Sequence, residues 1–131
     1  QKKRGTSLPS GGFLYLFTLE NSQDWIKEDG SIIYNFGKTE RDDYKARIKE
    51  HQLGHPTKKI NVSGIWKVPQ SVGHKETEIL AKFQELNIQF NTTSQTSEYV
   101  YTQDLKYLKN IIEGLLPQNS KLNLNSQEST P

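Results

Sequence analysis

The chain has no cysteine and no methionine among its 131 residues. Without cysteine, a disulfide scaffold, a thiolate zinc site and a cysteine nucleophile are all excluded. Long apolar runs are also lacking, and none approaches the roughly 18 residues that crossing a bilayer requires, so we expect no membrane span and no membrane partner. Because the sequence opens on Gln1 and contains no methionine, we expect it to be part of a longer chain.

Hydrophobic residues are scarce, at 32% against 24% charged, which is polar for a globular chain but not polar enough to predict disorder throughout. The length suits one domain. We therefore expect a flexible leader over 1–11, a folded domain over 12–117 and a disordered tail over 118–131.

Excess charge of either sign is also small, since the net charge is +2. Residues 1–67 carry 12 Lys/Arg against 8 Asp/Glu, or +4, whereas residues 68–131 carry 5 against 7, or −2. An anionic partner would therefore be sought on the first half. A field this weak does not by itself indicate a nucleic-acid binder, and an unevenly charged solvated surface explains it equally simply.

The apolar periodicity predicts the order β, β, α, β, α, β, α, with a small sheet against which the helices pack. Gly37 is expected to close the second strand, and Thr39 and Ser71 to cap the first two helices. The predicted strands are 13–19, 31–36, 59–68 and a short 98–102, and the predicted helices are 40–53, 72–86 and one from 104 that Pro117 ends.

Several motifs follow one another in a familiar order. They are Gly12-Phe13-Leu14-Tyr15, then Asn35-Phe36-Gly37-Lys38-Thr39, then Arg47 and His51, then Glu76. This order resembles the GIY-YIG nuclease superfamily, and most of all its phage and bacterial branch, over roughly 12–116. The resemblance implies an α/β chain of the α+β type, with a three-stranded antiparallel sheet flanked by helices, extended here by a C-terminal strand and helix.

The second motif departs from the family pattern. The family's second tyrosine falls on Asn35, and Tyr34 lies one place early. A shift of one residue moves a strand side chain to the opposite face, so Tyr34 is not expected to substitute. The phage-type branch often lacks this tyrosine. The departure therefore affects the role expected for position 35 more than it affects the expected fold.

The charged positions make physical sense without the resemblance. Arg47 and His51 are four residues apart and share one helix face, where a guanidinium can hold a phosphate and an imidazole can move a proton. Glu76 falls on the apolar face of the second helix, whereas Glu78 points away and has Lys82 at i+4. A carboxylate on the inward face needs a reason, which a metal ion would supply, although Glu76 could also reach water at the edge of that face.

Two other patterns are weaker. Gly37-Lys38-Thr39 is not a phosphate-binding loop, because that motif needs a glycine where Ile32 stands. His51 and His55 have helical zinc-ligand spacing, but Gly54 is expected to end the helix first and no third ligand is evident.

The resemblance implies a divalent-metal-dependent endonuclease that hydrolyses phosphodiester bonds of nucleic acid, with DNA favoured over RNA. Tyr15 would position or deprotonate water with help from His51 or Lys38, Arg47 would hold the phosphate, and Glu76 would bind one Mg²⁺ or Mn²⁺. Such an activity implies an intracellular setting, cytoplasmic or nuclear, and leaves a homodimer open. The alternatives are a non-catalytic nucleic-acid-binding module of the same fold and an interaction domain of a larger protein.

Overall fold

The computed structural model describes residues 10–40, 43–89, 99–117 and 120–122. Within these ranges the chain forms a sheet and three α-helices, with a short 3₁₀ helix at Gln23–Trp25 between the first two strands. The strands are β1 (Gly12–Leu19), β2 (Ile32–Thr39), β3 (Ile60–Val68) and β4 (Tyr99–Thr102), and the helices are α1 (Tyr44–Leu53), α2 (Val72–Glu85) and α3 (Leu105–Gly114). In the described part of the chain no helix combines the length and apolar character that crossing a membrane requires.

The four strands form one antiparallel sheet in the order β3-β1-β2-β4. The predicted α+β class and the β1–β2 hairpin are confirmed. The sheet has four strands and not three, because the predicted extra C-terminal strand joins it by pairing with the outer edge of β2. This pairing places Val100 opposite Tyr34, and both side chains are buried in the core.

The sheet has a different helix layer on each face. Leu14, Leu16 and Phe36 point to the face covered by α2 and α3, whereas Tyr15 and Phe17 point to the face that carries α1. Because β1 is central and covered on both sides, it is an unbroken apolar run rather than an alternating one.

Two predicted boundaries are wrong at the end of β2. Gly37 does not close the strand but lies inside it, opposite Tyr15, and Thr39 pairs with Phe13 instead of capping a helix. The N-cap of α1 is Asp43, whose carboxylate accepts a hydrogen bond from the Lys45 amide at 3.0 Å. Pairing with β1 therefore extends β2 past its glycine and delays the helix.

The predicted tail is also wrong over Ser120–Leu122. The Lys67 amide donates to the Ser120 carbonyl at 2.8 Å, and the Leu122 amide donates to the Ile65 carbonyl at 2.9 Å. An edge strand offers unpaired backbone groups, and pairing with them needs no apolar periodicity. At the other end, the Ser10 carbonyl accepts from the Val72 amide at 3.1 Å. The rest of the predicted leader (1–9) and tail (118–119 and 123–131) lies outside the described residues.

Candidate functional site

The site is built around Tyr15, which lies on the central strand and faces α1. Gly37 is its cross-strand partner on β2. A Cβ atom on Gly37 would lie 2.5 Å from the Tyr15 hydroxyl oxygen and 2.7 Å from the ring carbon that bears it. The phenol ring therefore occupies the space that a side chain at position 37 would need, and the glycine of the second motif has a steric role.

His51, on α1, also contacts the Tyr15 hydroxyl. Its Nε2 atom lies 2.8 Å from the Tyr15 oxygen, and its ring also packs on Phe17 at a centroid distance of 4.8 Å. Burial lowers the pKa of His51 to about 4, and the positive charges of Arg47 and His55 add to this, while Glu50 opposes it. The imidazole is therefore neutral at pH 7, so one ring nitrogen is free to accept a proton.

Arg47 lies one helical turn before His51 and meets the same oxygen. Its hydrogen bond with Tyr15 is the largest cause of the raised pKa of Arg47, to which Glu50 also contributes. The Arg47 guanidinium donates to the Glu50 carboxylate at 3.1 Å. Because arginine can only donate, Tyr15 accepts from Arg47. In the tautomer of neutral His51 that carries no proton on Nε2, the Tyr15 hydroxyl donates to that atom. Tyr15 thus lies between a fixed cation and a proton acceptor.

Lys38 belongs to the opposite face of the sheet, because its cross-strand partner is Leu14 rather than Tyr15. It lies near the end of β2, however, and with Thr39, Glu40 and Arg47 it lines an open cleft of about 460 Å³. Its ammonium pairs with the Glu40 carboxylate at 3.2 Å. The cleft therefore has two cations on its walls, each with a carboxylate beside it.

Glu76 lies on α2, which packs on the face opposite α1. It is half-buried and is not among the described residues that line the cleft. The connection runs through Gly73, one turn earlier on α2, where an added Cβ would lie 3.6 Å from Lys38 Cε. The structure thus brings Tyr15, Arg47 and His51 together with Lys38 at the rim, and the convergence of Glu76 with them stays a prediction.

Glu78 is exposed, as predicted, but its predicted partner is wrong. It pairs with Lys75 at 2.9 Å, while Lys82 pairs with Glu85 at 3.5 Å. Both pairs have i,i+3 spacing. On a helix surface, residues three apart are neighbours just as residues four apart are, so either spacing allows an ion pair.

The donors for a metal ion are few. The described residues contain no group of three or more His, Asp or Glu side chains arranged to hold an ion. A single carboxylate such as Glu76 fits Mg²⁺, which keeps several of its waters and binds through one or two carboxylates plus substrate phosphate. A single carboxylate does not fit zinc. His55, the other ligand considered for zinc, packs its ring against Trp25 in a T-shaped arrangement, with the ring centroids 6.0 Å apart.

Asn35 and Tyr34 point in opposite directions, as the strand alternation predicted. Tyr34 is buried on the face that carries α2 and α3, and burial raises its pKa. Asn35 lies on the Tyr15 face, opposite Phe17, and is 4% exposed. Its Oδ1 atom is buried without a hydrogen-bond partner among the described residues.

Two aromatic residues on this face, Trp25 and Tyr99, were not predicted from the sequence. Trp25 stacks on Phe17 with a centroid distance of 6.1 Å, and its ring stands perpendicular to that of Tyr99 at 5.5 Å. Trp25 could have been predicted to pack there, because it is the single tryptophan of the polar segment between β1 and β2, and tryptophan is highly buried on average.

Comparison with known protein families, with curated proteins and with solved structures found no match.

Proposed function

We propose that this chain is a divalent-metal-dependent endonuclease that hydrolyses phosphodiester bonds of nucleic acid, with DNA as the favoured substrate. The observation that carries the proposal is the 2.8 Å contact between the Tyr15 hydroxyl and His51 Nε2, with Arg47 bound to the same oxygen. A buried tyrosine between an arginine and a neutral histidine is equipped to lose a proton. A tyrosine that only packs in a core needs one hydrogen-bond partner for its hydroxyl. A cation beside the same oxygen goes beyond that need and favours the phenolate form.

The proton path follows from these contacts. His51 accepts the Tyr15 hydroxyl proton at Nε2, and the positive Arg47 stabilises the phenolate that remains. Because the pKa of His51 is lowered to about 4, this transfer is uphill in the free protein, and the negative phenolate and the substrate phosphate have to stabilise the imidazolium. The phenolate then takes a proton from the water that attacks phosphorus. The leaving oxygen takes a proton from solvent, and His51 returns its proton to solvent, which restores the site. Arg47 and Lys38 face the cleft and stabilise the charge that develops on the phosphate oxygens as the bond to the leaving oxygen breaks.

A divalent ion has a narrower role in this proposal. Glu76 would hold it, and it would supply charge stabilisation at the phosphate. Because one carboxylate is the whole protein donor set proposed, we expect weak binding of the ion in the absence of substrate.

Access to Tyr15 requires a change at Arg47. Tyr15 is 1% exposed, so an attacking water reaches its oxygen only after a neighbour moves. We expect Arg47 to move, since a phosphate in the cleft competes with Glu50 for the guanidinium. Its five N–H donors let it turn toward the phosphate and keep one hydrogen bond to Tyr15.

Plasmid nicking tests the proposal with two matched pairs of variants. Tyr15→Phe keeps the ring and removes the proton, and Tyr34→Phe makes the same change on the other face of the sheet. Glu76→Ala and Glu78→Ala form the second pair, on one helix. With Mg²⁺ or Mn²⁺ we expect Tyr15→Phe to slow nicking by about 10²-fold and Glu76→Ala to abolish it, while the two controls nick like the parent.

A second function is a nucleic-acid-binding module without cleavage. It is favoured by the burial of Tyr15 and by Asn35 at the position where the resembled family has its second tyrosine. A parent protein that binds labelled duplex but stays inert with every divalent ion would support the module and contradict the nuclease.

A further inference from the structure

A row of side chains crosses the sheet next to Tyr15. Phe17 on β1, Asn35 on β2 and Tyr99 on β4 are successive cross-strand partners. Side chains of directly paired residues share one face, with Cβ atoms about 5 Å apart. The Asn35 carboxamide therefore stands between two aromatic rings.

Trp25 covers this row. Its ring lies nearly parallel to Phe17, with 23° between the planes, and meets the Tyr99 ring at 83°. The ring contacts both outer members of the row, and we infer from this that it covers the middle member, Asn35, which is 4% exposed. Trp25 itself is partly exposed and belongs to a 3₁₀ helix of three residues without a side-chain cap.

The Asn35 carboxamide has an unmet hydrogen-bonding requirement. Its Oδ1 atom is buried without a partner among the described residues, and burying an unpaired acceptor destabilises a fold. An unsatisfied buried acceptor calls for an explanation, and a hydrogen-bond donor supplied by a ligand is one that also accounts for the aromatic rings around it.

We propose that Phe17, Asn35 and Tyr99 form a pocket for a single nucleobase, which Trp25 covers in the free protein. A nucleobase matches both features of this pocket, because its planar π face can stack on the aromatic rings and its polar edge can form a hydrogen bond with the carboxamide. An added peptide strand fits less well, because β2 is already paired on both edges. The base enters as Trp25 swings outward, and it exchanges the Trp25 contact for stacking and a hydrogen bond to Asn35.

The pocket adjoins the candidate catalytic site. Phe17 follows Tyr15 by two residues on the same face, about 7 Å along the strand, and the His51 ring contacts both. This inference rests on the proposed nuclease function, because the base then belongs to a nucleotide beside the scissile phosphate. A base in such a pocket must leave its stack, so single-stranded or locally opened substrate is favoured.

The test measures base-dependent binding without cleavage. Short labelled single-stranded oligonucleotides with a central dA, dC or dT are compared with one that has an abasic central nucleotide, by fluorescence anisotropy in the presence of a chelator. The parent should bind at least one base-bearing strand about tenfold more tightly than the abasic strand. In Asn35→Leu this ratio should fall roughly several-fold, to the part that stacking alone supplies, while affinity for the abasic strand stays the same.

Tyr34→Phe is the control from the opposite face and should keep the parent ratio. Asn35→Leu should also raise Tm, because it removes the unpaired acceptor and keeps the shape of the side chain. If that variant does not fold, Asn35→Ala serves for the binding ratio. An unchanged ratio in the Asn35 variant, or no base preference in the parent, overturns the pocket.

The two proposals fail separately. A parent that cleaves DNA but has no base preference keeps the nuclease and loses the pocket. A parent that prefers a base but never cleaves keeps the pocket and loses the nuclease. Tryptophan emission adds a direct readout, since base entry should change the Trp25 signal in the parent and not in Trp25→Phe, where the buried Trp66 remains.

Discussion

Tyr15, Arg47 and His51 form a chain of hydrogen bonds at the scale of single residues. The Tyr15 oxygen accepts from a cation that stays protonated and donates to an imidazole whose pKa is about 4. Both helix partners come from consecutive turns of α1, so a change at one is felt at the other through Tyr15. The chemistry we propose therefore depends on three side chains that act as a unit.

Arg47→Ala should separate catalysis from binding. If Arg47 stabilises charge that develops in the transition state, cleavage should fall by about 10²-fold or more. Binding should weaken much less, because Arg47 is one phosphate contact among several. Arg47→Lys should restore little, since an ammonium cannot reproduce the planar guanidinium. Rates and affinities on one labelled duplex decide this, with the exposed Lys49→Ala as control, and equal losses in rate and affinity would contradict it.

His51 should make folding stability depend on pH. Its pKa falls from 6.5 in the unfolded chain to about 4 in the folded one. The folded state then binds fewer protons between these values, so its stabilisation is complete above pH 6.5 and is lost as the pH falls toward 4. Thermal melts at pH 7 and pH 5 should give a larger drop in Tm for the parent than for His51→Gln. An equal drop in both proteins would show that another group is responsible.

At the scale of elements, the helices are anchored unequally. α2 and α3 bury Ile79, Phe83, Leu108 and Ile112 completely, whereas α1 has no buried residue. α1 is attached through Tyr44, Ile48 and the His51 contacts to the sheet. The helix that carries Arg47 and His51 is therefore the one least held by the core, which suits a site where Arg47 has to move.

The Ser120–Leu122 segment is a second element with a structural role. Lys121 forms a bridge to Trp66 on β3 and lies 3.8 Å from the Glu113 carboxylate, which also accepts from the Trp66 indole at 3.1 Å. Leu122 packs against the core on the α1 face. The segment thus connects α3 to the edge of the sheet.

Truncation should detect this connection. Ending the chain after Pro117 removes the backbone pairing with β3 and the Leu122 contact, and should lower the free energy of unfolding by about 1–3 kcal/mol. Ending it after Leu122 keeps both and is the control. Denaturant titrations of the two truncated chains give the difference directly, and equal stabilities would mean that the segment contributes nothing.

At the scale of the whole molecule, the two faces of the sheet serve different purposes. The face that carries α2 and α3 holds the larger apolar core. The face that carries α1 mixes aromatic with polar side chains and holds the Tyr15 site. The first half of the chain, which has the positive excess, supplies β1, β2, α1 and most of β3.

Charge removal should test whether the cleft is the proposed nucleic-acid-binding surface. Lys38→Gln and Lys106→Gln lower the net charge equally, but Lys38 lines the cleft and Lys106 is exposed on α3. We expect Lys38→Gln to weaken DNA binding several-fold and to reduce its salt dependence. Lys106→Gln should bind like the parent. Equal weakening by both would mean that net charge, and not the cleft, governs binding.

The sequence alone determined the order of the elements and most of their extents. Apolar periodicity is a local property, and it placed β1, β3, α2 and α3 within a few residues. Strand alternation also predicted that Tyr34 and Asn35 face opposite ways, because successive strand residues point to opposite faces whatever the sheet contains.

Only the tertiary structure decided which residues meet. The extension of β2 past Gly37, the entry of β4 into the sheet and the pairing of Ser120–Leu122 with β3 all come from backbone hydrogen bonds between distant segments. Such bonds leave no periodic trace in the sequence. The ring contact between Trp25 and Tyr99 is likewise made by distant segments. The four-residue spacing of Arg47 and His51 was enough to predict that they share one face of α1. Their distance from Glu76, in contrast, depends on how two helices pack on opposite faces of one sheet.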